Sequence, residues 1–139
     1  MVDLSDLYLA KFVDGGRGEL GPDRCPQLDC WGLVMAVFER FGVVVPDFDI
    51  AANDTEGKDG AYRDEARSGR WVRLAEAETP CLVAMRTSPR APKATNHFGV
   101  HVGGGRVLHI FDATGVHVST LGDGPKRAPG VCGLWRFVG

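Results

Sequence analysis

Apolar side chains at Cys30, Leu33, Val34, Val37, Phe38 and Phe41 recur three and four positions apart, while Glu39 and Arg40 fall on the opposite side. That spacing gives a helix one buried face and predicts an α-helix over 30–41. Asp29 stands where a side-chain oxygen can cap the first turn, and Gly42 suits the left-handed residue that ends a helix. Cys30 then lies in the first turn and faces the core. Beyond Trp71 the pattern changes to short apolar runs cut by turns, at 81–86, 97–102, 106–111, 116–121 and 131–138. These predict five strands, antiparallel, with Gly103-Gly104-Gly105 joining the second and third as a hairpin. Residues 3–12, with Leu4, Leu7 and Tyr8 on one stripe, predict a short amphipathic helix, and the charged stretch 59–68 predicts another. Residues 15–27 and 87–96 read as loops. Helices come first and a meander follows, so the expected class is α+β, with the Cys30 helix packed on an antiparallel sheet of about five strands.

A chain of 139 residues can bury one core and is expected to form a single domain, 1–139. Charged residues make up 24% and the net charge is −2, with both signs interspersed. Neither nucleic acid nor an anionic membrane is therefore an expected partner. No segment reads as a secretory signal or a membrane span, which points to synthesis in the cytoplasm without a signal peptide. Four cysteines are too few and too dispersed for a disulfide scaffold. Cys25, Cys81 and Cys132 have no motif around them and read as small core hydrophobes.

The chemistry-bearing residues narrow the picture. A thiol at a helix N-terminus feels the partial positive charge there, which favours the thiolate at Cys30. If the glycine loop is symmetric about Gly104, Gly99 lies opposite His109, and residues 97, 99 and 101 share a face with 107, 109 and 111. His97 is then the diagonal neighbour of His109, roughly 7–8 Å away between backbones, with Gly99 leaving the space between them open. A thiol that attacks an acyl carbon needs a base, and the base needs an orienting partner, so Cys30, His97 and His109 form a candidate catalytic set. His101 shares that face one step nearer the turn and is expected in the pocket or behind it. Two plainer readings remain open: a buried core cysteine, and a hairpin with surface histidines, which is also the expectation for His117. A metal site from Cys25, Cys30 and two of His97, His101 and His109 fits poorly, because the cysteines are Cys-x4-Cys with Pro26 between them. No metal is expected.

Asp29-Cys30-Trp31-Gly32-Leu33-Val34, then His97-Phe98-Gly99-Val100-His101 with its glycine turn, then Val107-Leu108-His109 resemble the NlpC-type cell-wall peptidases, a branch of the papain-like cysteine peptidases. The resemblance runs from about Phe12 to Phe111. It implies a papain-like α+β fold in which Cys30 attacks, His97 is the base and His109 orients it. Backbone amides at the helix start, around Asp29 and Cys30, would hold the oxyanion, and Trp31, Gly99 and His101 would border the substrate. The implied reaction is hydrolysis of an amide in the peptide stem of bacterial peptidoglycan, between D-glutamate and the diamino acid, with no cofactor. Three positions depart from the family pattern: Trp31 where serine is common, Phe12 where a tyrosine precedes the paired glycines, and His101 where the strand carries tyrosine. The Asp-Cys-Trp-Gly form and the segment Gly133-Leu134-Trp135-Arg136-Phe137 look like the phage tail-associated branch. This implies localisation to a virion tail and other tail-tip proteins as partners. A structural tail-tip subunit with a weak or inactive peptidase fold, and a wall-amidase effector or toxin, are the alternatives. Arg17, Arg24 and Arg86 are candidates for contacting substrate carboxylates.

Overall fold

The apolar face over 30–41 becomes helix α1, Cys30–Arg40, in the computed structural model, which describes residues 2–139. Asp29 caps it, its Oδ1 accepting the Gly32 N–H at 2.7 Å. The chain leaves through Gly42 at φ +81°, a conformation that glycine adopts without steric cost. Cys30, Trp31, Leu33, Val34, Val37 and Phe38 are all buried along α1. Their counterparts are Val100, Leu108 and Ile110 of the main sheet, in the same core cluster.

The nine strands among the described residues are β1 (Lys11–Phe12), β2 (Arg17–Leu20), β3 (Pro26–Leu28), β4 (Trp71–Arg73), β5 (Cys81–Met85), β6 (His97–His101), β7 (Arg106–Phe111), β8 (Gly115–Thr120) and β9 (Val131–Phe137). Six of them form the main sheet in the order β4-β9-β5-β6-β7-β8, with every neighbouring pair antiparallel. All five expected strands are present, and β4 is a sixth that pairs Trp71 with Phe137. The meander stops at β8, because β9 returns to the far side of β5 and pairs Leu82 with Trp135 and Val83 with Leu134. Every residue of β5 is buried, so this strand belongs in the middle of a sheet and needs a neighbour on both sides.

The N-terminal expectation is corrected. Residues 3–12 form one turn of 3-10 helix, Leu7–Leu9, followed by β1. A segment this short cannot offset the cost of helix nucleation, whereas Lys11 and Phe12 gain ladder partners in Gln27 and Leu28. The expected loop over 15–27 likewise contains β2 and the start of β3, giving a three-stranded sheet of order β1-β3-β2. This small sheet ends beside Asp29 and so fixes where α1 begins. The charged helix, α2, spans Thr55–Arg67 and starts earlier than its charge pattern suggests, because Asp54 caps it by accepting the Gly57 N–H at 2.9 Å. None of the residues of α2 is fully buried.

Candidate active site

The glycine loop sets the register of β6 and β7. Val100 pairs with Leu108 and His101 with Val107, a pairing symmetric about Gly104 that puts Gly99 opposite His109. His97 and His109 are therefore diagonal neighbours, and their rings meet with Nε2 of His97 2.9 Å from Nδ1 of His109. Gly99 lies close under this pair: a Cβ there would come within 2.9 Å of the His109 Cβ and 2.8 Å of the Leu108 carbonyl oxygen. On its other side His109 places Nε2 2.7 Å from Ser119 Oγ of β8. Phe111 stacks flat on the His97 ring, with centroids 4.3 Å apart and planes 8° off parallel.

This chain of contacts fixes a consistent set of tautomers for a base at His97. To accept a proton at Nδ1, His97 carries its own proton on Nε2 and donates it to His109 Nδ1. His109 then carries its proton on Nε2 and donates to Ser119 Oγ. No buried side-chain nitrogen or oxygen is left without a partner among the described residues, and His97 Nδ1 has no protein partner, so it is the nitrogen that reaches the cleft.

Cys30 and His97 line the same polar cavity of about 220 Å³, together with Phe12, Lys58, Asn96 and Asp112. Cys30 also borders a smaller, aromatic cavity of about 50 Å³ lined by Trp31, Tyr62, Phe98 and Trp135. Two elements from distant parts of the chain thus bring the thiol and the imidazole to one space. No hydrogen bond joins them at rest among the described residues.

Burial dominates the electrostatics. It pushes the Cys30 thiol up, and the Asp29 carboxylate adds to this. Lys58 and the backbone amides of Phe98 and Trp31 act in the opposite direction. Burial also pulls His97 down from its ordinary 6.5 to about 3, helped by the neighbouring His109, Lys58 and His117. His109 falls to about 4, again chiefly through burial, with His117 contributing. The resting pair is therefore a neutral thiol and a neutral imidazole, in contrast to the thiolate that the helix terminus alone would favour.

The two depressed histidines make the fold acid-sensitive. Both rings are neutral when folded, but in the unfolded chain they take up protons below pH 6.5, so their contribution is complete above that pH. It is lost as the pH falls toward 4 for His109 and 3 for His97. Between pH 7.5 and 5, where carboxylates stay ionised, each ring is expected to cost about 2 kcal/mol of stability. Urea denaturation at the two pH values measures this, and an unchanged midpoint would contradict it.

The other expected site residues fall in several places. Asp29 is buried and accepts from Gly32, from the Gly15 N–H at 3.1 Å and from Arg17 Nη1 at 2.6 Å. Arg17 is thereby committed to the scaffold, since it also pairs with Asp47 at 2.9 Å and donates to the carbonyls of Gly16 and Phe48. Trp31 donates from Nε1 to the Pro46 carbonyl and lines the aromatic cavity. His101, expected near the pocket, lines neither cavity. Its Nδ1 lies 2.8 Å from the Glu78 carbonyl, and its Nε2 accepts the Gly105 N–H at 3.0 Å, so it braces the end of the hairpin. Phe12 does line the polar cavity, without a hydroxyl to offer. Arg24 and Arg86 line neither cavity. His117 contacts Thr114 at 2.5 Å and tilts over His109. All four cysteines are free thiols, and no group of three or more His, Cys, Asp or Glu side chains could hold a metal ion among the described residues.

Sequence reasoning missed Ser119, Phe111 and Lys58. The first two stand on strands that were expected, and the pairing of β7 with β8 places Ser119 opposite Val107, on the face of His109. That signal was available. Lys58 carried none, because the path from 42 to 54 that folds α2 back over Cys30 has no periodicity.

No curated protein sequence matches the chain. Among solved structures, NlpC1 from Trichomonas vaginalis superposes with a TM-score of 0.55 at 19% identity, over 96% of this chain and 42% of that one. NlpC2 from the same organism superposes with a TM-score of 0.58 at 19% identity, over 96% and 43%. The chain thus spans less than half the length of either, and at this identity the likeness is one of fold. The model of the NlpC/P60 family matches residues 10–127, a span that includes Cys30, His97, His109 and Ser119, and on that match the chain belongs to the NlpC/P60 family.

Proposed function

We propose that this chain is a cysteine peptidase that hydrolyses an amide in the peptide stem of bacterial peptidoglycan, between D-glutamate and the diamino acid. Membership of the family implies cell-wall peptidase activity in general. The observation that carries the reading is the His97–His109 hydrogen bond, which leaves His97 Nδ1 open to the cavity that Cys30 lines.

In this reading the neutral pair is converted as substrate arrives. The Cys30 proton passes to His97 Nδ1 while Sγ bonds to the scissile carbonyl carbon, and the carbonyl oxygen becomes an oxyanion. The first-turn amides of Cys30 and Trp31 have no helical partner and are the donors available to it. Phe12 supplies no hydroxyl, so the oxyanion rests on backbone donors. Collapse of the tetrahedral intermediate breaks the C–N bond, and His97 delivers its proton to the leaving amine. Water, deprotonated by His97, then attacks the thioester, releasing the carboxylic acid and returning the proton to Sγ. His109, held by Ser119, keeps the His97 ring in the required tautomer throughout.

Digestion of purified sacculi with mass spectrometry of the soluble products tests the reading. Fragments carrying a free glutamyl γ-carboxyl and a new diamino-acid amine are expected. A folded protein that releases nothing would overturn it, and cleavage elsewhere in the stem would revise the bond.

We further propose that the protein works on a phage-like tail tip, next to other tail proteins. The support is the sequence form Asp29-Cys30-Trp31-Gly32 and the segment 133–137, although both also serve the fold, Trp31 through Pro46 and 133–137 as part of β9. An antibody against the protein is expected to detect it in purified tail particles, and its confinement to the soluble fraction would refute the location.

A further inference from the structure

The polar and aromatic cavities meet at Cys30, and three residues line both: Cys30, Ala52 and Lys58. Lys58 projects from α2 at intermediate burial and forms no ion pair among the described residues. Three of the acids on and beside its own helix are already engaged, and the other two, Glu56 and Asp64, line neither cavity. Asp54 caps the helix, Asp59 holds Arg63 and the Thr95 N–H, and Glu65 holds Arg70 and the Trp71 indole. Arg17, the other cation near the helix start, is committed to Asp29 and Asp47. The cleft therefore keeps one uncommitted ammonium beside its nucleophile, near enough to act on both Cys30 and His97.

We infer that Lys58 is a substrate-binding residue that takes a carboxylate on the acyl-donor side of the scissile amide. The substrates are then peptides whose acyl-donor residue carries a free carboxylate rather than a carboxamide. This rests on the peptidase reading above and adds the charge of the substrate to it. The side follows from position. The acyl group becomes bonded to Sγ, where Lys58 borders both cavities, whereas the leaving amine is protonated at His97. Asp112, also on the polar cavity, presents an anion suited to a cationic leaving group.

The test uses two alkylating reagents that differ only in this group, iodoacetate and iodoacetamide. In each, Sγ displaces iodide and loses its proton, so no turnover is required. Peptide mapping by mass spectrometry gives the rate at each cysteine. The iodoacetate-to-iodoacetamide ratio at Cys30 is expected to exceed that at Cys25 of the same molecule by roughly tenfold, the effect of one charge-assisted hydrogen bond. Lys58→Met and Lys58→Gln should both remove the excess, and Lys58→Arg should keep it. A Cys30 that reacts but shows the same ratio in Lys58→Met and wild type overturns the role of Lys58 alone. A Cys30 inert to both reagents overturns the nucleophile, and this proposal with it. With peptide substrates, a wild-type preference for the carboxylate over the matched carboxamide that Lys58→Met abolishes would support the same conclusion.

Discussion

Alanine at Cys30 is expected to lower peptide hydrolysis by at least about 10,000-fold, to the level that binding and the oxyanion donors supply without a nucleophile. The size of the effect follows from the division of labour in the cleft. On the proposed reading His97 is the base, neutral and with Nδ1 facing the cavity, and without Sγ it would have only water to activate, with no covalent intermediate to split the reaction into two easier steps. The fold should tolerate the change. Cys30 adds one sulfur to a core already filled by Leu33, Val34, Val37 and Phe38, and its removal also relieves a buried thiol. Matched thermal melts together with the activity ratio check both halves. Substantial residual hydrolysis in a folded variant would show that another group attacks the carbonyl.

Alanine at Gly32 is expected to destabilise the protein by about 3 kcal/mol, the opposite of what helix propensity suggests. Alanine at an exposed helix site is ordinarily better than glycine by about 1 kcal/mol. Here the new Cβ would stand 2.2 Å from the carbonyl oxygen of Gly16, and 3.2 Å from both Arg17 Nη1 and Asp29 Oδ1. The nearest atom is backbone, so relief requires moving the turn between β1 and β2. That turn is anchored where the Gly16 carbonyl accepts from Arg17 at 2.8 Å and from the Asp29 N–H at 3.4 Å. Displacing it disturbs the cap and the part-buried Arg17–Asp29 pair together, and leaving the buried Asp29 carboxylate without its cation adds to the cost. Chemical denaturation measures the difference, and a neutral or stabilising Gly32→Ala would show that the turn yields freely.

Where sequence pattern and structure agree, a single physical period decides the element. The face Cys30, Leu33, Val34, Val37 and Phe38 admits only a helix, and the run of three glycines leaves the β6–β7 hairpin one symmetric register. That register by itself brings His97 and His109 within reach of each other. The small sheet was illegible for the converse reason. β1 has two residues and β3 three, too few to show alternation, and β2 is interrupted by a bulge between Arg17 and Glu19. Arg17 illustrates the limit. As an arginine in a glycine-rich stretch it reads as free for substrate, yet the fold spends it on Asp29, Asp47 and two carbonyls. His101 shows the same limit from the other side, since a shared strand face does not say where along it the cleft ends. The state of the thiol was likewise beyond pattern, because burial against the sheet outweighs the helix terminus.

The absence of fully buried residues along α2 divides the cleft into two mechanical classes. Cys30, His97 and His109 are all buried and stand on the tightly packed elements, the kind of core that opens last. Lys58 stands on a helix tied down at a few points, the Tyr62 ring against Phe98 and Trp135 and the polar bonds of Asp59 and Glu65. Such a helix has less buried surface to give up than α1 or the sheet, so on the proposed reading it is the wall that yields first while Cys30 and His97 keep their spacing. If the proposed peptidoglycan substrate is right, a bulky polymer strand would be admitted by movement of one wall, with Cys30 and His97 unmoved.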